Sequence, residues 1–283
     1  MTKTGRLVAF LGALNLCFGA GYFLLALLFP VPFFGVSITA FGISSLVILC
    51  IIHSLVVKGP RHTAIFVLIS FVVTFITECI GVNFSLWFGD YEYTHILGPQ
   101  ILGVPILIII CWEGVIYPSH LLVDWVSGQY RAPYNYRSLP GLGKAVLASA
   151  ATALLVTAWD LMADPLAVSL RWWTWDFGGE YFHELHGGVP LSNYWGWFSA
   201  VFIISFSYRT VFAPSFRYRE SFGSNTLFLV MLYTTWYFVV SAPLLSLGIK
   251  LPVFVATFTM GPVIAMVWYK YVNTRVTKSE NRT

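Results

Sequence analysis

Charge is what this sequence has least of. Charged residues are 10% of its 283 residues, where a soluble domain carries roughly a quarter. The hydrophobic share is 58%. That balance excludes a soluble globular protein and leaves an integral membrane protein. No stretch is polar enough for a separate soluble unit, so residues 1–283 read as one membrane domain. Cysteine is also sparse. Cys17, Cys50, Cys79 and Cys111 all fall in apolar segments without CxxC spacing. They argue for core filling and against a zinc site or disulfide framework. No lysine lies in the middle of an apolar run, which argues against a Schiff-base chromophore site. There is no GxSxG, P-loop or dinucleotide fingerprint.

What is present is a series of apolar runs, each of roughly the 20 residues that cross a bilayer as a helix. Eight can be drawn, at about 7–29, 34–57, 63–84, 101–123, 143–163, 193–212, 225–247 and 251–271. Continuous runs of this length predict helices rather than barrel strands. The fold class is therefore all-α, a polytopic membrane helix bundle. The first run, behind Lys3 and Arg6, is too long for a signal-peptide core and reads as the first span.

Lys and Arg set the orientation. Of the 16, all but Arg171 and Lys250 fall on the side of the N-terminus. That predicts both termini in the cytoplasm and a cell-membrane, multi-pass protein. The net charge of +4 then follows the positive-inside rule, and no nucleic-acid partner is indicated. Membrane lipids are the expected surroundings.

The acids sort the other way. Asp90, Glu92, Asp164, Asp176, Glu180 and Glu184 lie in or beside the outer loops. Glu78 and Asp160 lie in the outer ends of the third and fifth spans, and Glu113 near the middle of the fourth. A carboxylate at lipid depth is costly, so it marks function by default. Asp160 and Asp164 are four residues apart, which on a helix is one face. Like charges held close share a proton, and a carboxylic acid that keeps its proton near neutral pH is a usable general acid. An alternative is that Asp164 merely ends a helix before Pro165.

Aromatics gather around the same acids: Trp87, Tyr91, Tyr93, Trp112, Trp159, Trp172, Trp173, Trp175, Tyr181, Tyr194, Trp195 and Trp197. Part of this is an interfacial belt. Aromatic faces also stabilise cations, by roughly 0.5–2 kcal/mol each. Two outer hairpins look like a pseudo-repeat. One has Glu78, Phe88, Gly89, Tyr91 and Gly103-Val104-Pro105; the other has Asp160, Phe177, Gly178, Tyr181 and Gly188-Val189-Pro190. Both prolines are expected in the first turn of a returning helix. A two-fold axis along the membrane normal would set Glu78 against Asp160 across an outer-side cavity lined by acids and aromatics. His183, His186, Glu180 and Glu184 are a weak metal set in one loop, so no metal is expected. His53, His62, His95 and His120 read as isolated and interfacial.

In these motifs the sequence resembles the carotenoid biosynthesis family of integral membrane proteins. The resemblance rests on the Glu78–Gly81 segment, FGDYEYTHILGPQILGVP with Trp112, TAWDLMADP, WWTWDFGG and GVPLSNYWGW, in order, over about residues 70–210. It implies a hydratase that adds water across a terminal isoprenoid double bond of an acyclic carotenoid. The product is a tertiary alcohol and no cofactor is needed. A long polyene or isoprenoid lipid is the implied substrate. Asp160 and Asp164 are the expected proton donors, with Glu78 and Glu113 activating water or keeping the donor protonated. Asn83, Asn193, Tyr91 and Tyr194 are expected to position water. Trp112, Trp159, Trp175 and Trp197 are expected to shield the cation. Two other readings stay open: a metal-dependent prenyltransferase or diphosphate lyase, suggested by the DxxxD spacing, and a non-enzymatic carotenoid-binding membrane protein.

Overall fold

The computed structural model describes residues 3–30, 35–130, 135–175, 188–214, 216–219 and 222–280, without the side chains of 35–41, 223, 224 and 275–280. The loop that carries Asp176, Phe177, Gly178, Glu180, Tyr181, His183, Glu184 and His186 lies outside the described residues.

The chain is a polytopic all-α bundle. Its helices are α1 (Lys3–Leu28), α2 (Gly35–Val57), α3 (Pro60–Phe84), α4 (Ile106–Val126), α5 (Leu139–Ser169), α6 (Leu191–Ser207), α7 (Phe222–Ser246), α8 (Leu251–Thr259) and α9 (Gly261–Glu280). Among the described residues, six helical stretches are long and apolar enough to cross a membrane. A π-turn over Tyr208–Phe212 extends α6.

Each expected run is helical, the second and sixth in described stretches shorter than a full span, and most of the differences lie at the ends. The fourth span starts at Ile106 rather than near 101. Before it, β2 (Gln100–Ile101) and β3 (Val104–Pro105) form a two-residue hairpin. Leu102 and Gly103 both take left-handed φ, 52° and 81°, as the tight turn demands. Pro105 and Pro190 sit at the N-caps in extended backbone, one residue before the helices they were expected to open. Helix α5 starts earlier because Ser138 caps it, accepting from the Gly141 N–H, with Pro140 in the first turn. It also runs through Pro165 to Ser169, so Asp164 does not end a helix. The last run breaks at Met260, before Gly261 and Pro262, into α8 and α9.

Helix α1 packs along α7 through small residues. Gly5, Gly12, Gly19 and Ala26, seven apart, are its buried positions with Val8. Asn225, Phe228 and Val239 press against the three glycines, the close approach that small residues permit in lipid. The other face of α1 is apolar and exposed at Leu7, Phe10, Leu14 and Phe18, as a lipid-facing helix should be. Cys17 is exposed there, whereas Cys50 is buried and Cys79 and Cys111 are partly covered. Cys17 therefore does not fill the core.

Two other expectations change. His53 and His120 are fully buried. His53 bonds the Tyr117 hydroxyl at 2.7 Å, and His120 bonds the Ser205 hydroxyl at 3.1 Å. They tie helices together rather than sit at an interface. The two outer hairpins do meet, through β1 (Tyr91–Tyr93) and β4 (Trp173–Trp175), paired antiparallel with Tyr91 opposite Trp175.

Candidate active site

The site is assembled from four helices and the β1–β4 ribbon. Glu78 sits on the last turns of α3 and is 3% exposed. Its carboxylate accepts from Tyr91 O–H at 2.5 Å and Tyr93 O–H at 2.8 Å on one oxygen, and from Trp112 Nε1–H at 3.1 Å on the other. Tyr91 and Tyr93 reach it together because alternate residues of a strand share a face. Burial, and then the Glu78 carboxylate, hold both phenols well above their ordinary range. They remain protonated donors. Three donors on one carboxylate favour its charged form.

Asp160 and Asp164 are one turn apart on α5 and effectively inaccessible, at 0% and 2% exposure. Their carboxyl groups interact directly. Asn193, in the first turn of α6, donates its side-chain amide to both. Asp160 Oδ1 and the neighbouring Trp159 Nε1 are buried without a hydrogen-bond partner. A buried acceptor and a buried donor in that condition are costly unless water reaches them.

Glu78, Asp160 and Asp164 line one cavity of about 40 Å³. Its remaining walls are mainly aromatic: Phe88, Tyr91, Tyr93, Trp112, Trp159, Trp173, Trp175 and Trp197. Trp112 and Trp197 stack face to face, with centroids 3.8 Å apart and planes at 6°. Trp159 meets Trp197 edge-on at 6.0 Å. The volume holds one or a few waters and the tip of a ligand, not a long one.

A loop clamps the end of the cavity. Trp87 Nε1 donates to Gly196 O at 3.2 Å, and Trp175 Nε1 donates to Phe88 O at 3.1 Å. The Ser192 hydroxyl donates to the same Phe88 carbonyl at 3.3 Å.

Of the residues expected from sequence, the fold brings together Glu78, Tyr91, Trp112, Trp159, Asp160, Asp164, Trp175, Asn193 and Trp197. Tyr194 is buried near the two aspartates but does not line the cavity. Asn83 is elsewhere. Its amide donates to Cys79 O and Leu102 O, each at 3.0 Å, and so braces the β2–β3 turn instead of positioning water. Glu113 is also elsewhere. It follows Trp112 on α4, and one residue turns a helix by about 100°. Glu113 does not line the cavity and lies beside Ser70, about two turns from Glu78 along α3, in the field of Lys58.

Lys58 belongs to a second polar cluster. Its ammonium is buried over the rings of Phe66 and Tyr208, at 4.0 and 4.1 Å. Burial, opposed by Asp124, lowers it to about 7. Nearby, Asp124 pairs with Arg209 and accepts from Tyr218. Sequence reasoning counted Lys58 and Arg209 only among the cations on the side of the N-terminus, but both are buried and partnered by rings or acids. It also left out Tyr93 and Trp173 as site residues. The alternation of Tyr91 with Tyr93, and of Trp173 with Trp175, was the signal that could have found them.

The family described as "Carotenoid biosynthesis protein" matches residues 34–262. That is wider than the stretch of about 70–210 on which the motifs fall. A curated relative, the bisanhydrobacterioruberin hydratase of Haloarcula japonica, is 31% identical over 121 residues, 42% of this chain and 36% of the relative. The match thus spans about a third of that protein's length. No solved structure matches the chain.

Proposed function

The chain belongs to the carotenoid biosynthesis protein family, and from that premise we propose that it hydrates a terminal isoprenoid double bond of an acyclic carotenoid. It is a multi-pass membrane protein, and in this reading it lies in the cell membrane with both termini in the cytoplasm and the acidic cavity at the outer end. The observation that carries the reading is the meeting of Glu78 with the Asp160–Asp164 pair in one aromatic-walled cavity.

The two sides of that cavity are chemically unequal. Two carboxylates in contact cannot both ionise readily, so the aspartate pair holds a proton. Glu78, with three donors on it, takes the anion's part in this reading. In the proposed reaction the π electrons of the double bond take the proton from the aspartate pair. A C–H bond forms at the terminal carbon's neighbour and the positive charge falls on the tertiary carbon. Trp112, Trp159, Trp175 and Trp197 flank that cation with their ring faces and edges. Water adds through a lone pair, forming the C–O bond. The proton it loses goes to a carboxylate and is returned to the pair. The sum is substrate plus water. Asn193 is a positioning residue that holds the aspartates together, and Tyr91 and Tyr93 hold Glu78. Asp160 Oδ1 and Trp159 Nε1 are the free polar atoms that a water in the cavity would bond.

The test is mass spectrometry of pigments from a host that makes an acyclic carotenoid, with and without this chain. Hydration adds the mass of one water per modified end and survives EDTA. Magnesium dependence with loss of diphosphate would point to a prenyl-transfer or lyase reaction instead. Unaltered pigment that co-purifies with the protein would make it a carrier.

A further inference from the structure

We propose that the body of the polyene lies along the seam between α4 and α5, with its far part in an apolar groove floored by α9. The inference rests on the hydration reading and names where the rest of that substrate binds. The cavity at the carboxylates is about 40 Å³, far below the several hundred Å³ of pockets that enclose drug-sized ligands. Only the reacting tip fits there, and the remainder of a long apolar molecule needs another surface within the membrane.

A groove of about 370 Å³ supplies it. Leu122 and Val126 of α4, Ala148, Ala151 and Leu155 of α5, and Met266 of α9 form its walls. Two of these are alanines, and their small side chains leave the trough. The groove and the cavity use the same two helices in one register. On α4 the stripe Ile108, Trp112, Val115, Ser119, Leu122, Val126 steps by three or four residues, and both of its ends line the two spaces. On α5 the stripe Ala148, Ala151, Leu155, Trp159, Ala163 does the same. Residues at that spacing share a helix face. Leu155 of the groove is therefore one turn from Trp159 of the cavity. Lys144 lines the groove at the end of α5 farthest from the cavity. Asp160 and Lys144 are sixteen residues apart, ~24 Å along the axis of α5, which is most of the ~30 Å hydrocarbon core. Val115 and Ser119, between the two spaces, are closed over at 1% and 0% exposure, so a polyene with its tip at Asp160 parts α4 from α5 there to reach the groove, and a flexible acyl chain has no reason to share its register with the acids.

The experiment fills the groove. Ala151→Trp and Met266→Trp block it from opposite walls. Leu154→Trp lies on α5 at a site 59% exposed and serves as the control. Each variant is expressed in the carotenoid-producing host, melted in detergent, and assayed for hydrated pigment and for pigment co-purifying per protein. Ala151→Trp and Met266→Trp are expected to lower both readouts by about tenfold or more, with Leu154→Trp like the wild type. If both blocking variants keep wild-type pigment and product, the groove holds ordinary lipid and the proposal falls. If the wild type binds pigment without hydrating it, the hydration reading fails separately, and loss of pigment in the blocked variants still decides the groove. Should one variant misfold, the other carries the test.

Discussion

Asn193 donates its side-chain amide to both Asp160 and Asp164, so one residue of α6 holds two carboxylates of α5 at a fixed separation. Asn193 keeps the two acids facing the same space, and its loss would free them to turn apart. In the proposed reaction this pair is the acid and Glu78 the anion opposite.

Removing a carboxylate of the pair should therefore stop the chemistry. Asp160→Asn and Asp164→Asn are each expected to cut product by about 10²–10⁴-fold, the usual worth of a general acid. Pigment mass and protein yield are measured together. If both variants keep full activity in membranes, the assignment is wrong. Glu113→Gln is the contrast, since Glu113 lies outside the cavity beside Ser70. Near wild-type product is expected from it.

Glu78 depends on its donors. Tyr91→Phe removes the 2.5 Å bond and leaves those of Tyr93 and Trp112. A bond to a charged group is worth roughly 1.5–3 kcal/mol, so a drop of about tenfold or more in turnover is expected. Glu78→Gln should cost more, because it removes the charge itself. Equal activity in Tyr91→Phe and wild type would mean that the tyrosine is only a wall.

Gly81 tests the same contact through the backbone. A Cβ there would meet Tyr91 Cε1 at 2.7 Å and Oη at 2.8 Å. Gly81→Ala must push the phenol off Glu78 or shift α3, at about 1–3 kcal/mol. Both a lower melting temperature and lower turnover are expected. A turnover loss without the melting shift would contradict the packing account.

Lys58 makes stability depend on pH. Burial lowers its ammonium to about 7 in the fold, against ~10.4 in an unfolded chain. Between those values the unfolded chain binds more protons, so stability rises with pH. Below about 7 both states are protonated and this contribution is flat. Melting temperature in detergent should climb between about pH 7 and 9, and Lys58→Met should flatten the climb. A flat wild-type profile would show that the ammonium is not held in the fold as described.

Much of this protein was legible from composition and spacing. The shortage of charge dictated a membrane protein, and the apolar runs marked the helices to within a few residues. A carboxylate at lipid depth is costly, so Glu78, Glu113 and Asp160 stood out from the sequence, although Glu113 does not line the cavity. The four-residue spacing of the aspartates put them on one face, because a helix turns every 3.6 residues.

Other features needed the tertiary structure. Helix α4 is mostly buried, and its Glu113, Ser119, His120 and Asp124 are buried along with its apolar residues. With no solvent face to orient it, the sequence does not say which neighbour Trp112 or Glu113 meets. Only the packing of α3 and α5 decides that one meets Glu78 and the other Ser70. Asn83 and Asn193 are equally polar in equally apolar surroundings. The β2–β3 turn takes the first, and the aspartates of α5 take the second. Lys58 and Arg209 follow the positive-inside count as any loop cation would. Their burial against Phe66, Tyr208 and Asp124 comes from residues far away in the chain. Sequence fixes which groups are expensive to bury, since that cost belongs to each side chain alone. Which partner offsets the cost depends on how helices distant in sequence pack, and the tertiary structure decided that.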